Sequence, residues 1–141
     1  MLIAVVDGQG GGIGKVIVEK IRASFGTEIE ILALGTNALA TSLMLKAGAN
    51  DGASGENAVI FNAPKVDVII GSIAIISANS MLGELTPLMA KAISDSNAKK
   101  ILIPLNRSNI QVVGVKNEPL PHYIDLITEK LKAMIGGENN V

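Results

Sequence analysis

VVDGQGGGIGKVIVEK, residues 5–20, joins an apolar segment to a segment of helical periodicity through a glycine-rich turn. The run Leu2–Val6 is apolar without interruption, which predicts a strand buried on both faces. From Ile13 to about Gly26 the apolar residues recur at helical spacing, with Arg22 on the exposed side. Glycines let a backbone approach an anion closely, and the amides at a helix start favour negative charge. The stretch therefore predicts a β-α unit whose turn is a candidate phosphate-binding loop.

The rest of the chain continues this alternation of strands and helices. Capping residues and prolines mark the helix starts. We expect further strands at Ile29–Leu34, Val66–Gly71, Ile101–Leu105 and Ile110–Val115, and further helices over Ala38–Ala47, from Thr86 to about Ser96 and from Pro121 to about Gly136. The segment Asn50–Pro64 stays open, because Ser54 could cap a short helix while Val59–Phe61 could equally be strand.

Alternating strands and helices predict a three-layer, doubly wound α/β fold with a mostly parallel sheet of about five strands. The link 106–109 is too short for a parallel crossover, so we expect an antiparallel hairpin at the sheet edge. The expected strand order is Ile29–Leu34, Leu2–Val6, Val66–Gly71, Ile101–Leu105, Ile110–Val115. We expect residues 1–137 to form one domain and residues 138–141 a flexible tail.

Composition excludes several classes of partner. The chain has 12 basic and 13 acidic residues with one tyrosine, two phenylalanines and no tryptophan, so it lacks the charge and the stacking surface of a nucleic-acid binder. It has no cysteine, which removes disulfides, thiolate metal sites and thiol catalysis. No apolar stretch is long enough to span a bilayer. We expect a cytoplasmic protein that binds neither nucleic acid nor membrane.

Glycine spacing separates three phosphate-binding patterns. A Walker loop ending at Gly14 needs a glycine where Gln9 stands and a hydroxyl where Val16 stands. The dinucleotide pattern GxGxxG would end on Gly11 and Gly14, but its first glycine again falls on Gln9. The best fit is GxxxGIG at residues 8–14.

This GxxxGIG loop resembles the cofactor loop of short-chain dehydrogenases, which bind NAD or NADP. The resemblance covers about the first 35 residues and has three departures. Asp7 stands where that family usually has threonine, Thr36 follows the second strand without a ribose-binding acid, and YIDLI from Tyr123 lacks the lysine of the catalytic YxxxK. The resemblance implies a nucleotide ligand, NAD(P) or a mononucleotide, without that family's catalytic residues.

Over nearly its whole length the chain is similar to a family of short, uncharacterised bacterial proteins, a domain of unknown function. The stretches that carry this resemblance are DGQGGGIGK from Asp7, LGTNALAT from Leu34, SMLGELTP from Ser80 and GVKNEPLPH from Gly114. The family implies a Rossmann-like fold and no established activity.

Polar residues follow four of the predicted strands, whose carboxyl ends meet at one edge of the sheet, where open α/β sheets bind ligands. Ser72 or Asn79 follows the third of these strands. The candidate site comprises Asp7, Gly8, Gln9, Gly10, Gly11, Gly12, Ile13, Gly14, Thr36, Asn37, Asn79, Asn106 and Arg107. Arg107 is suited to clamp a phosphate or a carboxylate. Asn, Ser and Thr are also common turn residues, so a purely structural edge is the alternative.

Asp7 would repel a phosphate held by the glycine loop unless its carboxylate is engaged. It could cap the following helix, contact a sugar hydroxyl or share a divalent cation. Capping is the favoured interpretation. No cluster of residues has metal-ligand spacing, so we expect no resident metal.

Three functions stay open. The first is a small nucleotide-binding protein that senses or carries its ligand. The second is a small enzyme acting on a phosphorylated or carboxylated metabolite, with Asp7, His122 or Arg107 in polar roles. The third is a structural or regulatory dimer. The predicted helix 38–47 is apolar almost all round, more than one sheet face can cover, so we expect it to pack in a homodimer.

Overall fold

The computed structural model describes residues 1–105 and 109–137. Strands and helices alternate along these residues: β1 Leu2–Asp7, α1 Gly12–Phe25, β2 Glu30–Gly35, α2 Ala38–Ala47, β3 Asp51–Ser54, α3 Glu56–Asn62, β4 Val68–Ser72, α4 Pro87–Asp95, β5 Lys99–Ile103 and α5 Leu120–Ile135. Short 3₁₀ turns follow α3 and β4. A membrane-crossing helix needs about 20 mostly apolar residues, and no helix in the described ranges is long and apolar enough.

The five strands form one sheet in the order β3-β2-β1-β4-β5, and every neighbouring pair is parallel. Residues of α1, α2 and α5 join the core on one face, and residues of α3 and α4 join the core on the other. The prediction of a three-layer, doubly wound α/β fold with a mostly parallel sheet is therefore confirmed, and the architecture is Rossmann-like.

Strand β1 lies at the centre of the sheet, which explains its continuous apolar sequence. Ile3 and Val5 are buried in the core that contains α1 and α5. Ala4 and Val6 are buried in the core that contains α3 and α4. Strand β1 is therefore covered by helices on both faces. Its last residue, Asp7, lies at the carboxyl end of the sheet.

The predicted antiparallel edge hairpin is wrong. Residues 109–119 form no strand, and β5 pairs only with β4 among the described residues. The valine-rich segment Ile110–Val115 instead turns at Gly114, which has a φ of 89°, and the Val115 amide donates to the Val112 carbonyl. A glycine in the left-handed region ends the extended backbone that the β-branched residues favour. The predicted tail 138–141 lies outside the described residues.

The fifth strand is β3, at the opposite edge, so the predicted strand order is also wrong there. Its sequence DGAS is short, polar and largely exposed, and carries no hydrophobic strand signal. It is held by its ladder with β2, extended by bonds from the Asn50 amide to the Ile31 carbonyl and from the Gly55 amide to the Gly35 carbonyl. The segment left open in the sequence is thus a strand followed by a helix, α3.

Helix α2 begins and ends where the sequence predicts. The Asn37 side chain accepts a hydrogen bond from the Ala40 amide at 2.8 Å, and Gly48 is the C-terminal cap. Helix α4 likewise begins after Thr86, whose hydroxyl accepts from the Met89 amide at 3.2 Å. Asn37 and Thr86 each supply an acceptor for a backbone amide that lacks one inside its helix, while the Gly48 amide donates to the carbonyls of Met44 and Leu45.

Arg22 is not a free surface residue of α1, contrary to the periodicity. Its guanidinium donates to the carbonyl oxygens of Gly26, Ile29 and Gly48 at 2.9, 2.6 and 2.7 Å, and also to Asn50 Oδ1. These acceptors lie after α1, before β2, after α2 and before β3 respectively. One side chain therefore joins four chain segments at the amino-terminal side of the sheet.

Candidate functional site

A cleft of about 450 Å³ opens at the carboxyl end of the sheet. From β1 the chain proceeds toward the β3 edge, and from β4 it proceeds toward the β5 edge. The cleft lies beside these two strands, at the switch point where open α/β sheets bind ligands. It is lined by Asp7, Gly8, Gln9, Gly10, Gly11, Gly12, Ile13, Ser72, Ala74, Met81, Leu82 and Leu105. Its volume falls within the range of small-molecule sites, about 300–1,000 Å³.

The glycine loop gives the cleft an open backbone surface. A Cβ atom at Gly10 or Gly12 would have no heavy atom within 4 Å, so both residues border open space. Gly11 is required for another reason, because its φ is 74° and a Cβ there would lie 2.8 Å from the Ala40 Cα. The loop is thus shaped by close packing on α2 at Gly11 and is open on either side of it.

Three backbone amides of this surface have no acceptor. The Gly11 amide donates to the Gly8 carbonyl at 3.0 Å. The amides of Gly10, Gly12 and Ile13 donate to no atom in the part of the chain that the structure describes. Gly12 and Ile13 begin α1, where amides lack intrahelical partners and the helix dipole is positive. The arrangement is suited to an anion or another strong acceptor.

Asp7 caps α1 from within the cleft. One carboxylate oxygen accepts from the Gly8 amide at 2.8 Å and the other accepts from the Gly14 amide at 2.6 Å. The residue is only 7% exposed. Gly11 occupies the N-cap position of α1, and the bond from the Gly14 amide to Asp7 is a contact of the kind that the capping interpretation expects. These two hydrogen bonds tie the end of β1 to the glycine loop and to the first turn of α1.

Gly14 belongs to the packing of α1 and not to the cleft. A Cβ at this position would lie 2.7 Å from Met44 Sδ and 2.9 Å from the Asp7 Cβ. The last glycine of GxxxGIG therefore permits α1 to approach α2 and β1. Gly14 matches the final glycine of a cofactor-binding pattern, but in this protein it serves helix packing.

Glu84 joins the glycine loop to the end of β2. Its Oε1 accepts from the Gln9 amide at 2.8 Å, from the Thr36 hydroxyl at 2.6 Å and from the Asn37 side-chain amide at 2.8 Å. The hydrogen bond from Thr36, followed by that from Gln9, lowers the pKa of Glu84 from its ordinary value. The carboxylate is therefore charged at neutral pH and holds two strand ends together. We call Glu84 with Gln9, Thr36 and Asn37 the Glu84 cluster.

The segment before Glu84 forms one wall of the cleft. Met81 and Leu82 have φ values of 58° and 56°, in the left-handed region that costs a residue with a side chain about 1–2 kcal/mol. Leu82 is 98% exposed and yet borders the cleft. With Leu105 across the cleft, these residues give the site an apolar surface beside its polar loop.

The predicted site residues separate into three groups. Asp7 to Ile13 line the cleft together. Gly14, Thr36 and Asn37 lie outside the lining, and so does Asn79, whose amide and carbonyl make turn bonds with Leu85 and Gly83. Asn106 and Arg107 lie outside the described residues. His122 is exposed at the start of α5 and does not border the cleft.

Sequence reasoning missed Glu84 and the apolar wall. The contact between Glu84 and Thr36 spans 48 residues of sequence. The only signal was a glutamate in the stretch SMLGELTP, and a surface loop readily carries one. Met81, Leu82 and Leu105 are ordinary apolar residues whose place in the cleft follows from the fold alone.

A parallel, doubly wound sheet with a glycine loop at its switch point defines a Rossmann-like α/β protein. The chain belongs to the family described as "Domain of unknown function (DUF3842)", whose model matches residues 2–136. This confirms the predicted membership of a family without an assigned function. The likeness of the loop to that of short-chain dehydrogenases stays a prediction. No curated protein and no solved structure matches the chain.

Proposed function

We propose that the protein binds a nucleotide, NAD(P) or a mononucleotide, in the cleft at the switch point. The observation that carries this proposal is a set of three amides on the cleft surface, those of Gly10, Gly12 and Ile13, which donate to no acceptor within residues 1–105 and 109–137. Such amides at a helix start hold phosphate oxygens in many proteins. The apolar wall of Met81, Leu82 and Leu105 is suited to the flat face of a base.

The apolar wall favours a nucleotide over a simple inorganic anion. A nucleotide offers a phosphate to the loop amides and a base to Met81, Leu82 and Leu105, whereas inorganic phosphate can use only the amides.

The replacement Gly12→Val tests the site without disturbing the fold. A side chain at position 12 meets no atom within 4 Å of its Cβ and projects from a residue that lines the cleft. We expect nucleotide affinity to fall at least about tenfold, about 1.4 kcal/mol, while the melting temperature of the free protein stays near that of the wild type. Thermal shift followed by calorimetry with mononucleotides, NAD and NADP measures both quantities.

The matched control is Ala23→Val, which places the same side chain on an exposed position of α1. It should lower stability by at most the helix propensity of valine, about 0.5 kcal/mol, and leave affinity unchanged. No shift with any nucleotide, or an affinity that is the same in Gly12→Val and wild type, would overturn the proposal.

We also propose that α2 mediates a homodimer. Leu39 and Leu45 of this helix are 58% and 39% exposed. Apolar side chains left exposed on one helix are typical of a surface that packs against another chain. We expect a dimer at micromolar concentration and a monomer for Leu39→Glu, as measured by light scattering. Leu88→Glu, at a leucine of similar exposure on α4, should stay dimeric, and a monomeric wild type would contradict the proposal.

A further inference from the structure

We infer that the cleft admits a mononucleotide and excludes a dinucleotide, because the Glu84 cluster occupies the place where the second nucleoside would bind. This inference rests on the proposed nucleotide-binding function and narrows its ligand class.

The end of β2 already has a carboxylate bound to it. In dinucleotide-binding sheets an acidic residue after the second strand accepts hydrogen bonds from the ribose hydroxyls of the adenosine half. Here Thr36 and Asn37 follow β2, and both donate to Glu84 Oε1, at 2.6 and 2.8 Å. The carboxylate belongs to the β4–α4 connection. It accepts hydrogen bonds from Thr36 and Asn37 of the same chain, where a dinucleotide site would bind ligand hydroxyls. A ribose there would have to break both bonds.

The space between the ends of β1 and β2 is filled as well. A Cβ atom at Gly8 would lie 2.4 Å from the Thr36 hydroxyl oxygen, 2.6 Å from Met81 Sδ and 3.2 Å from Glu84 Oε1. A single methyl group does not fit at this point, so a ribose ring does not fit either. The Gln9 amide also donates to Glu84, which fixes the glycine loop against this filled side.

The cleft opens on the other side of β1. Beyond the glycine loop and the wall at Met81 and Leu82, its lining comes from Ser72 at the end of β4, from Ala74 just after it and from Leu105 after β5. Neither Glu84 nor Thr36 nor Asn37 borders it. A ligand held by the amides of Gly10, Gly12 and Ile13 therefore extends toward β4 and β5, away from the Glu84 cluster at the end of β2. The side of the cleft next to β4 and β5 has room for one nucleotide unit, and the second unit of a dinucleotide has no site.

Calorimetry with NAD and its two halves, AMP and nicotinamide mononucleotide, tests the size limit directly. We expect at least one half to bind the wild type about tenfold or more tightly than NAD. In Glu84→Ala the ratio of the affinity for that half to the affinity for NAD should fall to about threefold or less, because the variant binds NAD more tightly. Glu84→Gln keeps an oxygen that accepts the three hydrogen bonds, and should retain the wild-type ratio.

The control is Glu56→Ala, since Glu56 accepts from the Thr86 hydroxyl at 3.1 Å near the same connection but takes no part in the Glu84 cluster. Its ratio should equal that of the wild type. Equal binding of NAD and a mononucleotide by the wild type, or an unchanged ratio in Glu84→Ala, overturns the inference and leaves the nucleotide proposal standing. Failure of every nucleotide to bind the wild type removes the proposed function and the inference together.

A second measurement applies if Glu84→Ala does not fold. Amide chemical shifts of the wild type, titrated with the half of NAD that binds, should change at Ser72, Ala74 and Leu105 and stay constant at Thr36 and Asn37. Met81→Ala, which opens space above Gly8 without removing the carboxylate, should raise the affinity for NAD relative to that for the mononucleotide. Shifts centred on Thr36 and Asn37 would place the ligand on the β2 side and overturn the inference.

Discussion

Arg22→Ala is expected to lower the free energy of unfolding by about 3 kcal/mol. The guanidinium bonds three carbonyl oxygens and the Asn50 side chain, and a hydrogen bond to a charged group is worth about 1.5–3 kcal/mol. Two of the carbonyls, of Ile29 and Gly48, accept in partly buried surroundings where water replaces the donor poorly. The expected loss of stability is smaller than the summed energies of the four hydrogen bonds, because the bonds to Gly26 and Asn50 are exposed to solvent.

Urea denaturation measures this loss. Arg22→Lys should recover only part of the stability, since an ammonium lacks the planar fork that reaches four acceptors. Lys20→Ala on the same helix is the control, because Lys20 makes an exposed 3.0 Å ion pair with Asp125 and its replacement should cost at most about 1 kcal/mol. Equal losses for Arg22→Ala and Lys20→Ala would show that the four bonds contribute nothing beyond a surface charge.

Gly35→Ala is expected to cost a similar amount, about 3 kcal/mol, at the upper end of the usual penalty for overpacking. A Cβ at the end of β2 would lie 2.3 Å from Thr41 Oγ1, 2.6 Å from the Asn37 carbonyl oxygen and 2.7 Å from the Thr41 amide nitrogen. Two of these atoms are backbone atoms of the first turn of α2 and cannot rotate away. The methyl also disturbs the hydrogen bond from the Gly35 amide to the Thr41 hydroxyl, 3.1 Å long.

Gly52→Ala is the matched control on the neighbouring strand. A Cβ there would lie 2.7 Å from Thr41 Cγ2 and 3.1 Å from Leu45 atoms, all of them side-chain atoms that can move. We expect a cost near 1 kcal/mol, the lower end of the same range. The double replacement of Gly35 and Thr41 by alanine should remain unstable, since the backbone contacts persist. Full recovery in the double variant, measured by thermal and urea unfolding, would contradict the backbone argument.

The parts of the fold that local signals determine were predictable from sequence. A helix cap acts within one turn, so Asn37 and Thr86 marked the starts of α2 and α4 correctly. Burial on both faces made β1 recognisable. In contrast, β3 has a polar sequence and owes its existence to the ladder with β2, which no local pattern reveals. The segment Ile110–Val115 has the residues of a strand, but its backbone turns at Gly114.

The candidate site divides in the same way. Asp7 and the glycine loop are contiguous in sequence, so the hydrogen bonds from the loop and the helix start to Asp7 could be predicted from residues 7–14. Glu84 could not be found, because its partners Gln9 and Thr36 reach it only after the sheet has formed. Thr36 and Asn37 were placed correctly at the end of β2, yet their donors are directed to a side chain of the protein.

The two edges of the sheet also bear on how copies of the protein associate. Strand β3 is four residues long and begins with the exposed Asp51, and β5 begins with Lys99 and Lys100. Short edge strands and charged side chains oppose pairing with a strand from another molecule. Growth of the sheet from chain to chain is therefore disfavoured at both edges, in keeping with the proposal that a second copy packs on helix α2 and not on the sheet.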